Sequence, residues 1–333
     1  MLNVDQLVAQ FGAYYIPGGQ SVANLKKALY AASETAALFN DRPMMGDYFR
    51  GSKVTMGNVL QPFQKAFTPS GDLSFQPNAF PLFKVKIDIS LDPDDIESTW
   101  AGFLSGMDDA DRAAWPIVRY LIEDHAIPKK DDDMELQVSF NGKYVAPTTG
   151  VASPVGQTMD GIKAVLNRYN LAGRLNLGNG PLTMGAIATT PADFCTQVEE
   201  WVESMDPVLR SQITEVVMSE QLSIRYQKGK LAKYGRDFNL INIDKSVQVD
   251  VSRCTIDSYP RISVVGKISH NGSNVIWATP KVNRIRPIWK STSVASVFQI
   301  KSYDRDVHVL TDWWEALDFE VPEFVIVNEQ PLS

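Results

Sequence analysis

Two cysteines in 333 residues, Cys195 and Cys254, are too few for a disulfide framework, and they point to folding in a reducing compartment. Histidine is nearly as scarce. His125, His270 and His308 lie far apart in the sequence, which with so few thiols speaks against a zinc site. An excess of basic charge is also missing: 32 Lys and Arg against 39 Asp and Glu leave a formal charge of −7. A dedicated nucleic-acid binder needs a basic surface to displace counterions from phosphates, so the charge argues against that class. No stretch reaches the ~18 apolar residues of a membrane span. Met1-Leu-Asn-Val-Asp5 lacks the basic start and apolar run of a secretory signal, and a soluble product made in the cytoplasm is expected. The chain has no P-loop, no GxGxxG, no GxSxG elbow and no HExxH.

What is present is a mixed succession of helix and strand patterns. Residues 1–45 read as two helices joined by Ile16-Pro-Gly-Gly-Gln20. Val4, Leu7, Val8 and Phe11 share one face of the first; Val22, Leu25, Leu29, Ala32, Ala36 and Phe39 share one face of the second. Residues 46–91 form an extended segment in which Pro62, Pro69, Pro77 and Pro81 keep the chain out of any helix or central sheet. It ends in strict alternation, with Phe83, Val85, Ile87 and Ile89 on one side and Lys84, Lys86, Asp88 and Ser90 on the other. A helical region is expected over about 94–127, with Asp111 as cap and Pro116 in the first turn. The Gly-, Pro- and Thr-rich loop from Asn141 to Gly156 reads as a domain boundary.

Further on, Met159, Ile162, Val165 and Leu166 have helical spacing, and Leu182 to Ile187 reads as a short buried strand. Helices are expected after Thr190-Pro191, burying Phe194, Val198, Trp201 and Val202, and after Asp206-Pro207, running through Ile213 to Val217. Strands 261–268 and 274–279 flank Asn271-Gly272, a hairpin signal, and strands 297–303 and 307–311 flank Asp304-Arg-Asp306. Strands and helices are segregated rather than alternating, so the class is α+β.

No catalytic, cofactor-binding or metal-binding residues emerge. His125 is read as a cation at a helix end, and His270 and His308 as structural residues of a turn and a strand. The clusters Asp92/Asp94/Asp95, Asp108/Asp109/Asp111 and Asp131/Asp132/Asp133 lack calcium-loop spacing and read as caps and solvated charge. The basic run Arg225, Lys228, Lys230, Lys233, Arg236 reads as a solvated face or an ion-pairing surface. Trp313 and Trp314 read as core or interface aromatics. A long extended arm feeding a strand and then a helix builds no pocket, but it suits reaching across to another subunit. Phe63, Phe67 and Phe75 on the arm, with Lys84 and Lys86 on the outward side of the next strand, are the candidate intersubunit contacts. Residues 54–80 are expected to be dispensable for folding and required for assembly.

Several segments together carry a resemblance. Phe83-Lys-Val-Lys-Ile-Asp-Ile-Ser-Leu91 leads to Pro93-Asp-Asp-Ile-Glu-Ser-Thr-Trp100, then to Trp115-Pro-Ile-Val-Arg-Tyr-Leu-Ile-Glu-Asp-His125 and Met159-Asp-Gly-Ile-Lys163. Thr279-Pro-Lys-Val-Asn283, residues 298–307, Asp312-Trp313 and Val325-Ile-Val-Asn328 follow in order. This succession resembles the major capsid proteins of tailed phages with the Hong Kong 97-type fold, especially those of Bacteroidetes phages and prophages. The resemblance implies an N-terminal arm (1–45), an extended loop lying over the next subunit (46–91) and a peripheral domain with a spine helix (92–157). An axial domain (158–280) and C-terminal strands completing the peripheral domain (281–333) would follow. It implies self-assembly into hexamers and pentamers of an icosahedral shell, built in the host cytoplasm around a double-stranded DNA genome touched only non-specifically. Scaffolding, portal and decoration proteins are the implied partners, with no cofactor and no membrane. Two other classes stand beside it: an encapsulin-like nanocompartment shell, and an α+β enzyme whose site assembles from scattered Asp, Arg and Trp.

Overall fold

A computed structural model describes residues 9, 14, 20–29, 31–44, 48–91, 93–106, 119–175, 184–234, 253–256, 259–289, 299–303 and 306–328. The first expected helix, the Asp111 cap and Pro116 lie outside the described residues.

The second expected helix does form, but only over Gln20–Leu29 (α1), which buries Leu25 and Leu29. Its apolar pattern runs on through Ala36 and Phe39 in a short 3₁₀ turn, and Asn40–Met44 is then a strand (β1) rather than helix. The reason is local: Pro43 cannot continue a helix and fits an edge strand, and β1 is the edge of the sheet β1–β9–β12. In that sheet β1 runs parallel to β9 (Arg284–Trp289), which pairs antiparallel with β12 (Asp318–Phe319).

The extended segment 46–91 divides into two parts. Tyr48–Met56 (β2) and Leu73–Pro81 (β3) pair only with each other, from Tyr48↔Pro81 at the root to Met56↔Leu73 at the tip. After the single residue Leu82, β4 (Phe83–Leu91) joins a different sheet. There it pairs antiparallel with β11 (Asp306–Glu315), which also forms the expected hairpin with β10 (Gln299–Tyr303). The alternation read from the sequence holds: Phe83 and Val85 are buried, and Lys84, Lys86, Asp88 and Ser90 are exposed.

After α2 (Pro93–Ser105), a long helix (α3) comprises Tyr120–Ala126, Ile127–Asp133 and Met134–Val138, so it does not stop near 127. Its first and last parts carry i→i−5 bonding, as in Ser139 N–H to Met134 C=O (2.7 Å). Pro128 is tolerated because it sits at the joint of a π turn with an α turn, where the regular ladder is already broken. The expected irregular loop follows, and then α4 (Ile162–Leu171), with Ile162, Val165 and Leu166 in the core as their spacing predicts.

The remaining elements build a five-stranded sheet, β13–β8–β5–β7–β6. Its central strand, β5 (Glu215–Ser219), is buried along its whole length, so its Val216 and Val217 belong to a strand rather than to the helix that the sequence suggests. That helix, α6 (Pro207–Gln212), has only six residues, and the side chain of Asp206 caps it by accepting from Val208 and Leu209 N–H. Two adjacent β-branched residues suit a doubly covered strand better than another helical turn. β7 (Tyr259–Lys267) and β8 (Trp277–Ala278) are not the partners that Asn271-Gly272 suggested. Each pairs with β5, on its two sides, and Asn271-Gly272 only reverses the chain after a 3₁₀ turn, with Gly272 at φ 81°. The expected strand at 182–187 is absent over its described residues, 184–187, where Gly185 takes φ 70°. β6 (Arg253–Ile256) lies at one edge and β13 (Ile326–Val327) at the other, so the C-terminal segment serves this sheet as well as the first two.

Helices α5 (Pro191–Glu203) and α7 (Glu220–Tyr234) pack on one another. Their approach requires Gly229, since a Cβ there would lie 1.9 Å from the Pro191 carbonyl oxygen. One core, around Phe39, Trp277 and Phe319, joins the segment before β1 to α4 and the C-terminal strands. Phe39 lies 5.8 Å from Phe319 and 6.3 Å from Trp277 between ring centroids. A second core fills the space between α5, α7 and the five-stranded sheet.

Candidate intersubunit interface

The β2–β3 hairpin has a root built like a core and a tip built like a surface awaiting cover. At the root, Phe49 and Phe80 stack at 4.8 Å against Ile285, and Phe80 is fully buried. This corrects the expectation that residues 54–80 are dispensable for folding, because the end of that segment belongs to the core. Beside the rings, buried Asn78 donates to the Phe319 and Glu320 carbonyls (2.9 and 3.2 Å) and accepts from Arg174 Nη1 (3.1 Å). Its amide also meets Tyr169 Oη at 3.1 Å, and Tyr169 donates to Asp318 Oδ1 at 2.7 Å. Arg168 pairs with Asp318 from the same helix as Tyr169, and Arg174 pairs with Glu323 at 2.8 Å. Burial raises the Asp318 carboxyl above its ordinary range, with Arg168 and Tyr169 opposing the shift. It raises the Tyr169 phenol too, and the Asp318 charge adds to that. One strand residue thus ties the hairpin to α4 and to the C-terminal segment around β12.

At the far end, residues 57–72 form a loop with its own hydrogen bonds. Gly57 N–H donates to the Asp72 carbonyl (2.9 Å), Ser70 Oγ to Asn58 (2.7 Å), and Gln61 Nε2 to Thr68 (2.6 Å). Gln64 Nε2 reaches Thr68 Oγ1 at 2.6 Å. Gly71, at φ 94°, closes the turn in a conformation that L side chains rarely adopt. With the polar groups satisfied inward, the apolar side chains point out: Leu60 is 94% exposed, Phe63 93%, Phe67 94% and Phe75 63%. The candidate residues Phe63 and Phe67 therefore sit together on the tip, while Phe75 lies on the shaft opposite Val54.

The other two candidates stand elsewhere. Lys84 pairs with Asp312 and Lys86 with Asp88, all on the outward side of the β4–β11 pair. Lys84, Val85, Lys86 and Asp88 form one wall of a groove of about 710 Å³ whose other wall is the loop 144–158. Val145 and Val151 of that loop are 47% and 64% exposed. The sequence signalled the tip through its prolines and aromatics. The groove had no such signal, because its walls come from segments about 60 residues apart.

The remaining chemistry-bearing residues are engaged in packing. His270 is fully buried, 3.8 Å from the Phe140 ring centroid; it accepts from Trp277 Nε1 at 3.1 Å and contacts Ser269 Oγ at 2.9 Å. Burial, helped by nearby Lys267, lowers its pKa to about 3, so it is neutral. His125 lies within α3 rather than at its end and meets the Tyr120 ring edge-on at 4.5 Å. His308 is half-buried in β11, as the strand reading expected. The run 225–233 lies on α7 and is divided: Arg225 donates to Ala188 C=O and Lys230 is buried, while Lys228 and Lys233 are exposed and Lys233 forms an ion pair with Glu199 at 2.8 Å, as the ion-pairing reading expected. Arg236 lies outside the described residues. Cys195 is buried against Glu199, and its thiol is pushed up to about 12, chiefly by burial. Trp313 is buried and donates to Glu315 Oε2 at 3.1 Å. Among the described residues, no three His, Cys, Asp or Glu side chains are grouped to hold a metal ion, and no helix is long and apolar enough to cross a membrane.

No protein-family profile matches the sequence, and no curated protein matches it by sequence. The fold does match solved structures along nearly its whole length. A chain in the procapsid of satellite phage P4, a structure that includes the size determination protein Sid, is 14% identical with a TM-score of 0.56, covering 93% of this chain and 90% of that one. A chain of Gordonia phage Cozz is 11% identical with a TM-score of 0.51, over 89% and 86%. A chain of the cyanophage A-1(L) capsid asymmetric unit is 12% identical with a TM-score of 0.50, over 91% and 93%. The fold is α+β, of the Hong Kong 97 capsid type.

Proposed function

We propose that this chain is the major capsid protein of a tailed phage, self-assembling into the hexamers and pentamers of an icosahedral shell around double-stranded DNA. The observation that carries the reading is a capsid fold over nine-tenths of the chain, joined to a hairpin whose tip exposes Leu60, Phe63 and Phe67 without cover. Single exposed apolar residues need no explanation, whereas three large ones, each more than nine-tenths exposed within eight residues of one loop, favour a partner that covers them. In domain terms, 1–45 is the N-terminal arm, and the extended loop proper is the hairpin Tyr48–Pro81 within 46–91. Residues 92–157 form the peripheral domain with α3 as its spine, 158–280 the axial domain, and 281–333 return mainly to the periphery. The partners are copies of itself, a scaffolding protein, a portal and a decoration protein. A net charge of −7 favours DNA held by confinement with non-specific contact. The order of segments from Phe83 to Asn328 favours a phage or prophage of Bacteroidetes-type bacteria, with the shell assembled in the host cytoplasm and carried in the virion.

The test is expression of the full chain, alone and with a scaffolding protein supplied, followed by light scattering and electron microscopy. Rings or closed shells are expected, since repeated head-to-tail contacts close when the rotation allows. A monodisperse monomer at high concentration in both arms overturns the reading.

A further inference from the structure

Sheet edges in this protein are guarded, with one exception among the described strands. β1 carries Pro43, β2 carries Gly51, β3 carries Pro77 and Pro81, and β6 ends in a register shift. β12 and β13 have two residues each, and β10 has five. β4 runs for nine residues without Pro, Gly or bulge, and among the described residues only β11 pairs with it. Its other edge borders the groove against loop 144–158. Lys84, Val85 and Lys86 all line that groove, as consecutive residues do along a strand's edge. The hollow on the outward face of the same sheet takes from β4 only the alternate residues Lys84, Lys86 and Asp88. Every second residue of β4 therefore directs its N–H and C=O away from β11, toward the groove.

The residues along that edge are complementary to themselves. Laid antiparallel on a second copy with Ile87 opposite Ile87, Phe83 meets Leu91, Val85 meets Ile89, Lys84 meets Ser90 and Lys86 meets Asp88. Every pair on the inward face is apolar, and the charges that face each other are opposite in sign. A slip of two residues sets Lys86 against Lys86 or Asp88 against Asp88. A slip of one sets the apolar face of one strand beside the polar face of the other. One register is thus selected by charge and by face. Lys86 and Asp88 have side chains 73% and 44% exposed and can reach across, while Ile87 and Ile89, half-buried in the single subunit, gain cover. We infer that two copies join along β4 across a two-fold axis at Ile87, merging their two three-stranded sheets into one. Such a contact is isologous and closes as a pair, unlike the head-to-tail contacts that make rings. The inference rests on the shell reading for its partner, another copy, and supplies a contact that joins one ring to the next.

The experiment uses the full chain with Ile87→Cys, oxidised as free subunits and in particles formed with a scaffolding protein supplied. Directly opposed residues of antiparallel strands have Cα atoms ~4.5–5.5 Å apart, inside the disulfide range. Covalent dimer is expected in at least one of the two forms, about tenfold above Lys84→Cys, whose opposite residue is Ser90, because pairing raises the effective thiol concentration. The charged pair is tested without touching an apolar residue, by sedimentation and particle yield. Lys86→Asp and Asp88→Lys are each expected to weaken pairing about tenfold, through two like-charge contacts per dimer. An equimolar mixture of the two variants is expected to restore it, since each supplies the charge that the other lacks. Loss of an ion pair within one strand could not be mended by mixing. Shells from the unmodified chain with no excess of Ile87→Cys dimer, or with no recovery in the mixture, overturn the two-fold pairing and leave the shell reading intact. Dimers that recover in the mixture, from a chain that forms no shells, overturn the shell reading and leave the β4 contact standing.

Discussion

The two ends of one hairpin treat the same residue type in opposite ways. Phe80 at the root is fully buried against Phe49 and Ile285, while Phe67 at the tip is 94% exposed. Nothing in the side chain differs. The root enters a site where Asn78, Tyr169, Arg174 and the β12 segment already converge, whereas the tip projects past the end of its own fold. Burial of a phenylalanine contributes ~1.5–3 kcal/mol only where surface exists to receive it. At the root that surface belongs to the same chain, and the gain goes to folding. At the tip the described chain offers no such surface, and under the proposed shell reading the gain would go to association.

The sharpest way to break this comparison is to truncate the root. Phe80→Ala is expected to lower subunit stability by ~3–5 kcal/mol, the usual cost of emptying a buried aromatic site. The measurement is the urea midpoint of unassembled subunits. An unchanged midpoint would mean that the root is no more part of the fold than the tip is.

Acid tests the core into which the root is planted. His270, neutral with a pKa lowered to about 3, must gain a proton on unfolding wherever the pH lies below the ordinary histidine value. The unfolded chain then binds more protons, so stability is full above pH ~6.5 and falls as the pH drops toward 3, on the order of a few kcal/mol. Asp318, with its pKa raised by burial, acts in the opposite sense at the acidic end. Comparison with His270→Asn isolates the histidine: the variant should lose most of the slope between pH 6.5 and 4. An equal slope in both proteins would remove the buried neutral imidazole from the account.

A smaller effect is expected at the polar half of the root. Asn78→Ala leaves Arg174 Nη1 and two carbonyls short of a partner, a loss of ~1–3 kcal/mol. It should also free the hairpin angle, so that hydrogen exchange in β3 rises while exchange in β5 does not. Uniform exchange across both strands would mean that Asn78 stabilises the molecule without orienting the hairpin.

The sequence disclosed local features well and long-range partners badly. Alternation in Phe83–Ser90 and the spacing of Ile162, Val165 and Leu166 are properties of a few consecutive turns, and each appears as read. The proline-punctuated arm likewise offers no helix to carry Phe67, Phe75 or Phe80 inward, and Phe67 and Phe75 stay exposed while Phe80 is buried from a strand. Helix α3 outran its expected end because π turns absorb Pro128, which the 3.6-residue rule treats as a stop. Strands β7 and β8 carry a good hairpin turn between them, yet β5, about 45 residues earlier, takes the place between them. Phe80 and Phe75 look alike in sequence, and only the arrival of Ile285, some 200 residues later, makes one of them core.

The smallest effect on stability, and the largest on assembly, is expected at the tip. Phe63→Ser with Phe67→Ser should leave the subunit midpoint within ~0.5 kcal/mol, because neither ring touches the core. Under the proposed shell reading each ring buried on a neighbour would be worth roughly 1.5–3 kcal/mol before the ordering cost, and the contact would repeat at every copy around a ring. Loss at each contact therefore compounds, and particle yield should collapse while the isolated subunit unfolds as before. Replacing residues 57–72 by an Asn-Gly turn makes the same test by deletion, cut short of Asn78 and Phe80 so that the root stays whole. A subunit that loses its cooperative transition would place the tip in the core, against its exposure. Intact shells from the deleted chain would show that the clamp lies elsewhere, and would leave the exposed rings of Phe63 and Phe67 without a partner.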